Sequence, residues 1–159
     1  MEHFGFTYQP ATILQLPARI QALIAAAADA TGTAYAPYSN FKVGAAVLLA
    51  NGTIRTGSNH ENASYPAGIC AERSVLSTIN PNDRQQLVTA IAVTYHNSGD
   101  SGDPLSPCGI CRQTILELQL AQGAVIAVYM CSPDGRVICV EDAASLLPFY
   151  FSSRQLPGA

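Results

Sequence analysis

Hydrophobic residues recur along the chain with two spacings, one typical of helices and one typical of strands. Pro17 suits the first turn of a helix, and apolar residues follow at helical spacing until about Ala30. Residues 41–50 are apolar on both faces, as in a buried strand, and Asn51-Gly52 predicts a hairpin turn into a second strand at 53–57. The first half therefore predicts one helix followed by an antiparallel pair of strands.

The second half continues this alternation of helices and strands. Further helices are predicted at 67–79, 107–120 and 141–147, and further buried strands at 87–95, 125–130 and 136–140. Residues 1–16 are expected to be irregular or edge-strand-like, and the polar residues 96–104 to form a surface loop. Because strands and helices interleave, we predict an α/β fold with a mixed sheet. Without internal repeats or a linker, residues 1–159 are expected to form a single domain.

The composition indicates a folded protein with a substantial core. Hydrophobic residues make up 48% of the 159 residues and charged residues only 12%, about half the usual charged share of ~25%. Such a chain has enough apolar surface to bury, which excludes intrinsic disorder. The low charge also favours a homo-oligomer, because less of the surface is covered by polar groups.

The charge distribution speaks against nucleic-acid and membrane binding. Eight Lys and Arg residues oppose eleven Asp and Glu residues, for a net charge of −3, and Lys42 is the only lysine. The arginines are scattered, so no basic stripe is available for phosphates. Apolar runs such as 23–28 are far shorter than the ~20 residues that a bilayer requires. With no signal-peptide pattern at the N-terminus, a cytoplasmic location is expected.

Two short motifs carry candidate chemistry, each at the start of a predicted helix. One is Cys70-Ala71-Glu72, and the other contains Cys108 and Cys111. In a reducing compartment, clustered cysteines are more often metal ligands or catalytic groups than disulfides. A catalytic zinc site usually takes three protein ligands and leaves the fourth position to water. Three cysteines with Glu72 beside the open position therefore predict a hydrolytic zinc site.

Other interpretations of the cysteines remain open. A lone Cys-x-x-Cys pair is weak evidence for a metal site, because the same spacing occurs in redox-active pairs and in two ordinary buried cysteines. Cys131 and Cys139 lie in or beside predicted strands and are expected to fill the core. A closed structural site that uses one of them as a fourth ligand is the less favoured alternative, because such a site has no use for Glu72.

The two cysteine motifs, with two further stretches, resemble the small, homotetrameric, zinc-dependent cytidine deaminases that act on free nucleosides. Zinc nucleobase deaminases bind the metal through a Cys-x-x-Cys pair and a third ligand that is His or Cys, with a Glu two residues after that third ligand. The stretches Ala34–Ala46 and Gly57–Pro66 and a C-terminal segment with Leu146-Leu147-Pro148 and Phe151 are also similar to that family. The resemblance covers about Pro17 to Leu156. It implies a three-layer α-β-α sandwich around a mixed, roughly five-stranded sheet, and a homotetramer with active sites at subunit interfaces.

The resemblance also implies a role for each site residue. Cys70, Cys108 and Cys111 would bind one zinc ion per subunit, and Glu72 would shuttle the proton. The substrate-binding residues would be Phe41 at the pyrimidine, Asn59 and Glu61 at the ribose hydroxyls, the Ala71 amide, the Ser106 carbonyl, and Phe151 from a neighbouring subunit. Taken without the resemblance, Asn59 and Glu61 could equally be a polar strand end.

Residues around the predicted cluster are candidates for supporting roles. Three thiolates and a hydroxide would give zinc an excess of negative charge, so Arg73 is expected to donate to the sulfurs; the alternative is an exposed helix arginine. Arg112 and Gln113 are candidates for support of the site, for an interface, or for a merely structural role. His60 is expected to face away from Asn59 and Glu61, at an interface or on the surface.

The sequence thus predicts a hydrolase that converts free cytidine and deoxycytidine to uridine and deoxyuridine, releases ammonia and serves pyrimidine salvage. Three alternatives stay open: a deaminase of a modified cytosine nucleoside, a deaminase of polynucleotide cytosine, and a non-catalytic zinc-stabilised binding protein. An enzyme that acts on polynucleotides needs a basic channel for the phosphates, and the net charge of −3 with a single lysine argues against such a channel. A binding protein would tolerate the loss of Glu72.

Overall fold

The computed structural model describes residues 1–96 and 102–157. They form an α/β fold with one mixed β-sheet and helices on both of its faces. The predicted fold class is confirmed. Part of the surface loop predicted at 96–104 lies outside the described residues. Within those ranges, no helix is both long enough and apolar enough to cross a membrane.

Six strands and three α-helices make up the described structure. The strands are β1 (Gln9–Thr12), β2 (Lys42–Leu49), β3 (Ile54–Ser58), β4 (Val88–His96), β5 (Ala127–Cys131) and β6 (Arg136–Val140). The helices are α1 (Ala18–Ala30), α2 (Ala71–Leu76) and α3 (Gly109–Gln122). Short 3-10 helices at Tyr65–Ala67 and Ala143–Leu146 precede α2 and follow β6.

The sheet has the strand order β1-β6-β5-β4-β2-β3, with β4 and β5 parallel and every other pair antiparallel. Because side chains alternate across a strand, β2 and β4 bury residues on both faces. Val47 and Ile91 pack with α2 and α3 on one face, whereas Ala46 and Ala92 pack with α1 on the other. These two cores give the predicted three layers.

The segment 1–16, predicted to be irregular or edge-strand-like, contains an edge strand: β1 pairs with β6 and adds a sixth strand to the roughly five expected. One predicted helix boundary is corrected. The helix predicted at 67–79 is only α2. The helix begins later than predicted because two hydrogen bonds hold the preceding residues extended. The amide N–H of Ile69 donates to the carbonyl oxygen of His60 at 2.9 Å, and the amide N–H of His60 donates to the carbonyl oxygen of Ile69 at 3.0 Å. This bridge keeps the chain extended up to Cys70.

A glycine lets α2 lie directly on the sheet. A Cβ atom added at Gly57 would lie 2.6 Å from the amide nitrogen of Val75 and 3.0 Å from the carbonyl oxygen of Ala71. Both are backbone atoms of α2, which cannot move without moving the helix. Gly57 in β3 therefore sets the height of α2, and with it the position of Cys70 and Glu72 at the start of that helix.

Candidate metal centre and substrate cleft

Three cysteine sulfurs converge where α2 and α3 begin. Cys70 is the residue before α2, Cys108 is the residue before α3, and Cys111 lies in the first turn of α3. The Sγ atoms of Cys70 and Cys108 are 3.8 Å apart, and those of Cys108 and Cys111 are 3.4 Å apart. All three sulfurs lie within 4.8 Å of one another. Sulfurs that share one zinc ion at about 2.3 Å in tetrahedral geometry lie about 3.8 Å apart, so the spacing fits that ion.

The thiols of Cys70 and Cys111 shift each other's pKa in opposite directions. Hydrogen bonding from Cys111, followed by smaller effects from Cys108 and Arg73, lowers the pKa of Cys70 to about 6. Hydrogen bonding to Cys70 and burial raise the pKa of Cys111. Closely spaced groups of the same charge do not all ionise unless a positive charge neutralises them. The donor set therefore has the chemistry of a cation site.

Glu72 lies beside the sulfurs and is almost completely buried, with 4% of its surface exposed. Burial, together with the nearby Cys70, raises the pKa of the Glu72 carboxyl. The charge of Arg73 lowers the pKa of Glu72 and of Cys70. Among the described residues, however, no hydrogen bond joins Arg73 to a sulfur, so its effect in this structure is electrostatic.

Cys70, Cys108 and Glu72 line one end of a cleft of about 750 Å³, whereas the buried Cys111 is not among its lining residues. The lining residues are Tyr38, Ser39, Phe41, Val43, Asn59, His60, Glu61, Asn62, Tyr65, Gly68, Ile69, Cys70, Ala71, Glu72, Leu105, Ser106 and Cys108. The ring of Phe41 stacks on Tyr95 with centroids 5.0 Å apart and an interplanar angle of 23°. This stack gives the cleft a flat, fixed apolar wall.

Asn59 connects the wall of the cleft to the start of β2. Its Oδ1 accepts a hydrogen bond from the amide of Val43 at 2.8 Å, and its Nδ2 donates to the carbonyl oxygen of Phe41 at 2.9 Å. The side chain is therefore held in one orientation. Within residues 1–96 and 102–157, one amide hydrogen and one acceptor position of Asn59 have no partner.

Glu61 is held by the loop that precedes β2. Its Oε2 accepts hydrogen bonds from the amides of Tyr38 at 2.8 Å and Ser39 at 3.3 Å, and its Oε1 accepts from the hydroxyl of Ser39. The hydrogen bonds from Ser39 and Tyr38 lower the pKa of the Glu61 carboxyl. Glu61 therefore presents a fixed, ionised acceptor to the cleft.

Arg112 connects the segment just before Cys108 to the residues that follow β6. Its guanidinium donates to the carbonyl oxygen of Pro107 at 2.9 Å, to the carbonyl oxygen of Leu146 at 3.0 Å and to the hydroxyl of Ser106 at 3.0 Å. Three bonds from one planar group hold the carbonyl of Pro107 and the hydroxyl of Ser106, in the segment that leads directly to Cys108. Among the candidate roles for Arg112, the structural support of this segment is the one that these contacts give.

The remaining predicted residues divide between the cleft and other places. Cys131 and Cys139 are buried in the sheet, as expected, and lie outside the sulfur cluster. His60 is exposed, as expected, but contrary to expectation it also lines the cleft. Phe151 is 59% exposed and does not line this cleft, and its carbonyl oxygen accepts from Gln113 at 3.1 Å.

The sequence prediction did not single out Ser39 as a site residue. Ser39 lies within a stretch that resembles the family, and no local pattern pairs its hydroxyl with a carboxylate 22 positions further along the chain. A serine just before a strand is an ordinary turn residue. Only the folded loop reveals its contact with Glu61.

Three sulfurs with a carboxylate beside them in an open cleft define a catalytic type of zinc site, because a structural site would be closed by a fourth ligand. Comparison with known proteins agrees with this class. Residues 17–128 match the family described as the cytidine and deoxycytidylate deaminase zinc-binding region. The chain belongs to this family, and zinc is the cofactor that the Cys70, Cys108 and Cys111 cluster could hold.

Several relatives support the same assignment. A cytidine deaminase of Sporosarcina psychrophila is 39% identical over 137 residues, which are 86% of this chain and 94% of the relative. One of Halalkalibacterium halodurans is 46% identical over 98 residues, 62% of this chain and 70% of the relative. The crystal structure of cytidine deaminase from Burkholderia pseudomallei has a TM-score of 0.70 and 42% identity, and the match covers 82% of this chain and 98% of the other.

Proposed function

We propose that the protein hydrolyses the 4-amino group of free cytidine and 2′-deoxycytidine, giving uridine or deoxyuridine and ammonia for pyrimidine salvage. The observation that carries the proposal is one cleft lined at one end by Cys70, Cys108 and Glu72, and elsewhere by Asn59 and Glu61. One end has the groups for hydrolysis, and the other has hydrogen-bonding groups for a sugar.

Glu72 is proposed as the group that moves protons. Zinc, when bound, lowers the pKa of a water molecule toward ~7. The Glu72 carboxylate accepts the proton that this water releases and delivers it to N3 of the pyrimidine. The water oxygen bonds to C4 in the same step. A second transfer through Glu72 carries the proton of this new C4 hydroxyl to the amino nitrogen, the C4–N bond breaks, and ammonia leaves. The Ala71 amide is proposed to donate to the ring carbonyl oxygen, and the Ser106 carbonyl to accept from the amino group.

The hydrogen bonds already made by Asn59 and Glu61 support the choice of sugar. Counting bonds from the described part of the chain, Oε2 of Glu61 has two donors and Oε1 has one, which leaves one acceptor position. By the same count, Asn59 has one amide hydrogen without an acceptor. A single sugar hydroxyl that donates to Glu61 and accepts from Asn59 would satisfy both. A 3′-hydroxyl is present in ribose and in 2′-deoxyribose, so we expect both nucleosides to be substrates.

The charges in the cleft argue against phosphorylated and polymeric substrates. None of the described residues that line the cleft is a lysine or an arginine, and Glu61 is ionised there. A nucleotide or an oligonucleotide would bring a phosphate close to this carboxylate with no cation to balance it. Free nucleosides are therefore the favoured substrate class.

We extend the proposal to a homotetramer in which Phe151 of one subunit covers the base bound to a neighbour. The aromatic ring is largely exposed in the single chain and lies outside its own cleft. Its backbone is tied through Gln113 to α3, the helix that carries Cys111. Such a residue is available to a neighbouring cleft, and the cytoplasm remains the expected location.

The direct test is to incubate the purified protein with cytidine, deoxycytidine, CMP and a cytidine-containing oligonucleotide. Ammonia release is measured with and without a zinc chelator, together with the metal content per subunit. We expect turnover of both nucleosides at similar kcat/KM, loss of activity with the chelator, recovery with added Zn²⁺, and little turnover of CMP. Turnover of the oligonucleotide without turnover of the nucleosides would contradict the proposal.

A further inference from the structure

Ser39 joins two walls of the cleft through one hydroxyl group. Its Oγ donates to Oε1 of Glu61 and accepts a hydrogen bond from the amide of Phe41 at 3.0 Å. Its own amide also donates to Oε2 of Glu61 at 3.3 Å. The same residue therefore contacts the carboxylate proposed to bind the sugar and the backbone of the residue proposed to line the pyrimidine.

We propose that Ser39 is a positioning residue that holds Glu61 ready to accept a hydrogen bond from the sugar hydroxyl. This inference rests on the proposed function, because it assigns Ser39 a role in binding the sugar of that substrate. Ser39 itself has no proposed contact with the reacting atoms.

The need for such a residue follows from where Glu61 lies. Glu61 comes after the end of β3, beyond the last regular hydrogen bonds of that strand, and its side chain reaches across to the loop before β2. A glutamate side chain in this setting has several rotamers, and ordering it on binding would cost affinity. Hydrogen bonds from the loop remove that cost before the substrate arrives.

The loop is shaped to make these bonds. Asn40, between Ser39 and Phe41, has a φ of 55°, in the left-handed region that asparagine tolerates better than most residues. The turn brings the Phe41 amide back to the Ser39 hydroxyl. This amide uses one lone pair of that oxygen, while the hydroxyl hydrogen points to Glu61.

The two backbone donors alone do not fix the carboxylate completely. The amides of Tyr38 and Ser39 both reach Oε2, so without the hydroxyl the carboxylate could rotate about this anchored oxygen. The Ser39 hydroxyl is the contact that defines Oε1, the oxygen with the free acceptor position. Removing it should therefore weaken the binding of a hydroxyl without affecting the chemistry at Glu72.

The test compares Ser39→Ala with the wild-type enzyme on cytidine and on 2′,3′-dideoxycytidine, which lacks both hydroxyls of the sugar ring. We expect the KM for cytidine to rise about fivefold to tenfold with kcat within about twofold, since a hydrogen bond to a charged group is lost from an exposed loop. For dideoxycytidine, the KM should be equal in the two proteins.

Matched variants separate the hydroxyl from the shape of the side chain. Ser39→Thr retains a hydroxyl and Ser39→Val has nearly the same shape as threonine without one, so only the threonine variant should approach the wild-type KM. Ser77→Ala removes another exposed hydroxyl, one that bonds a backbone carbonyl and does not line the cleft, and should leave both substrates unaffected. Thermal unfolding of each variant shows whether the fold is intact.

The outcomes distinguish the role of Ser39 from the proposed function. If wild-type enzyme turns over cytidine but Ser39→Ala raises the KM of both substrates equally, Ser39 has only a structural role and the inference is wrong. The inference is equally wrong if the threonine and valine variants have the same KM for cytidine. If the wild-type protein deaminates neither nucleoside, the proposed function fails and the role of Ser39 fails with it.

Discussion

The two ends of the cleft are built in different ways. At the sulfur end, Cys111 and Glu72 are buried and lie on helices that pack against the sheet. At the end proposed to bind the sugar, called the sugar end below, Glu61 lies on irregular backbone after β3 and is held by an exposed loop through Ser39. The sulfur end is therefore fixed by packing, and the sugar end is fixed by a few hydrogen bonds.

This difference indicates how each end should respond to substitution. Packed groups in a dry environment have strong electrostatic interactions, and changing one of them affects the chemical step. Hydrogen bonds in an exposed loop compete with water, so changing one of them affects affinity by a smaller factor. We therefore expect substitutions at the sulfur end to change mainly kcat, and substitutions at the sugar end to change mainly KM.

The largest effect is expected for Glu72→Gln. The amide has nearly the same shape but accepts no proton, so kcat should fall by at least roughly 10²–10⁴-fold, the usual contribution of general acid–base catalysis. Zinc content and KM should change little. Steady-state kinetics and metal analysis check this, and a variant that retains more than a tenth of the wild-type kcat would overturn the assignment of Glu72.

A smaller effect, on stability as well as rate, is expected for Gly57→Ala. The added Cβ would lie 2.6 Å from the backbone of α2, and forcing this contact should cost about 1–3 kcal/mol of unfolding free energy. Because α2 carries Glu72 and follows Cys70, zinc affinity and kcat should fall together while the KM changes less.

Gly32 provides the matched control for this substitution. A Cβ atom at Gly32 would meet nothing within 4 Å, so Gly32→Ala should leave stability, metal content and rate unchanged. Denaturant unfolding and metal titration of both variants give the comparison. Equal stability of the two variants would mean that α2 adjusts freely, and the sulfur end would then not be fixed by its packing on β3.

The sequence predicted the sulfur end better than the sugar end, and the reason is the range of the contacts. Cys108, Cys111 and the pair Cys70 and Glu72 are recognisable because each motif is local and lies at the start of a helix. The bridge between His60 and Ile69 was missed, and the helix start was misplaced as a result.

Side-chain contacts between distant segments could not be predicted from the sequence pattern. Arg112 reaches the carbonyl oxygen of Leu146, 34 positions away, and Ser39 reaches Glu61, 22 positions away. Hydrophobic periodicity predicts which faces are buried, but it carries no information on which surface hydroxyl meets which carboxylate. The layers of the fold were therefore predictable, whereas the residues that orient Glu61 were not.

The smallest of these effects is expected for Glu61→Gln. The amide oxygen can turn toward the amides of Tyr38 and Ser39, and the amide nitrogen then faces the Ser39 hydroxyl, which still has a lone pair to accept with. The loop should thus retain its shape, while the sugar hydroxyl loses a charged acceptor. We expect the KM for cytidine to rise about tenfold, with kcat within about twofold. Steady-state kinetics on cytidine and 2′,3′-dideoxycytidine measure this, and a fall in kcat as large as that of Glu72→Gln would show that the two ends of the cleft are not separable, because Glu61 would then act on the chemical step.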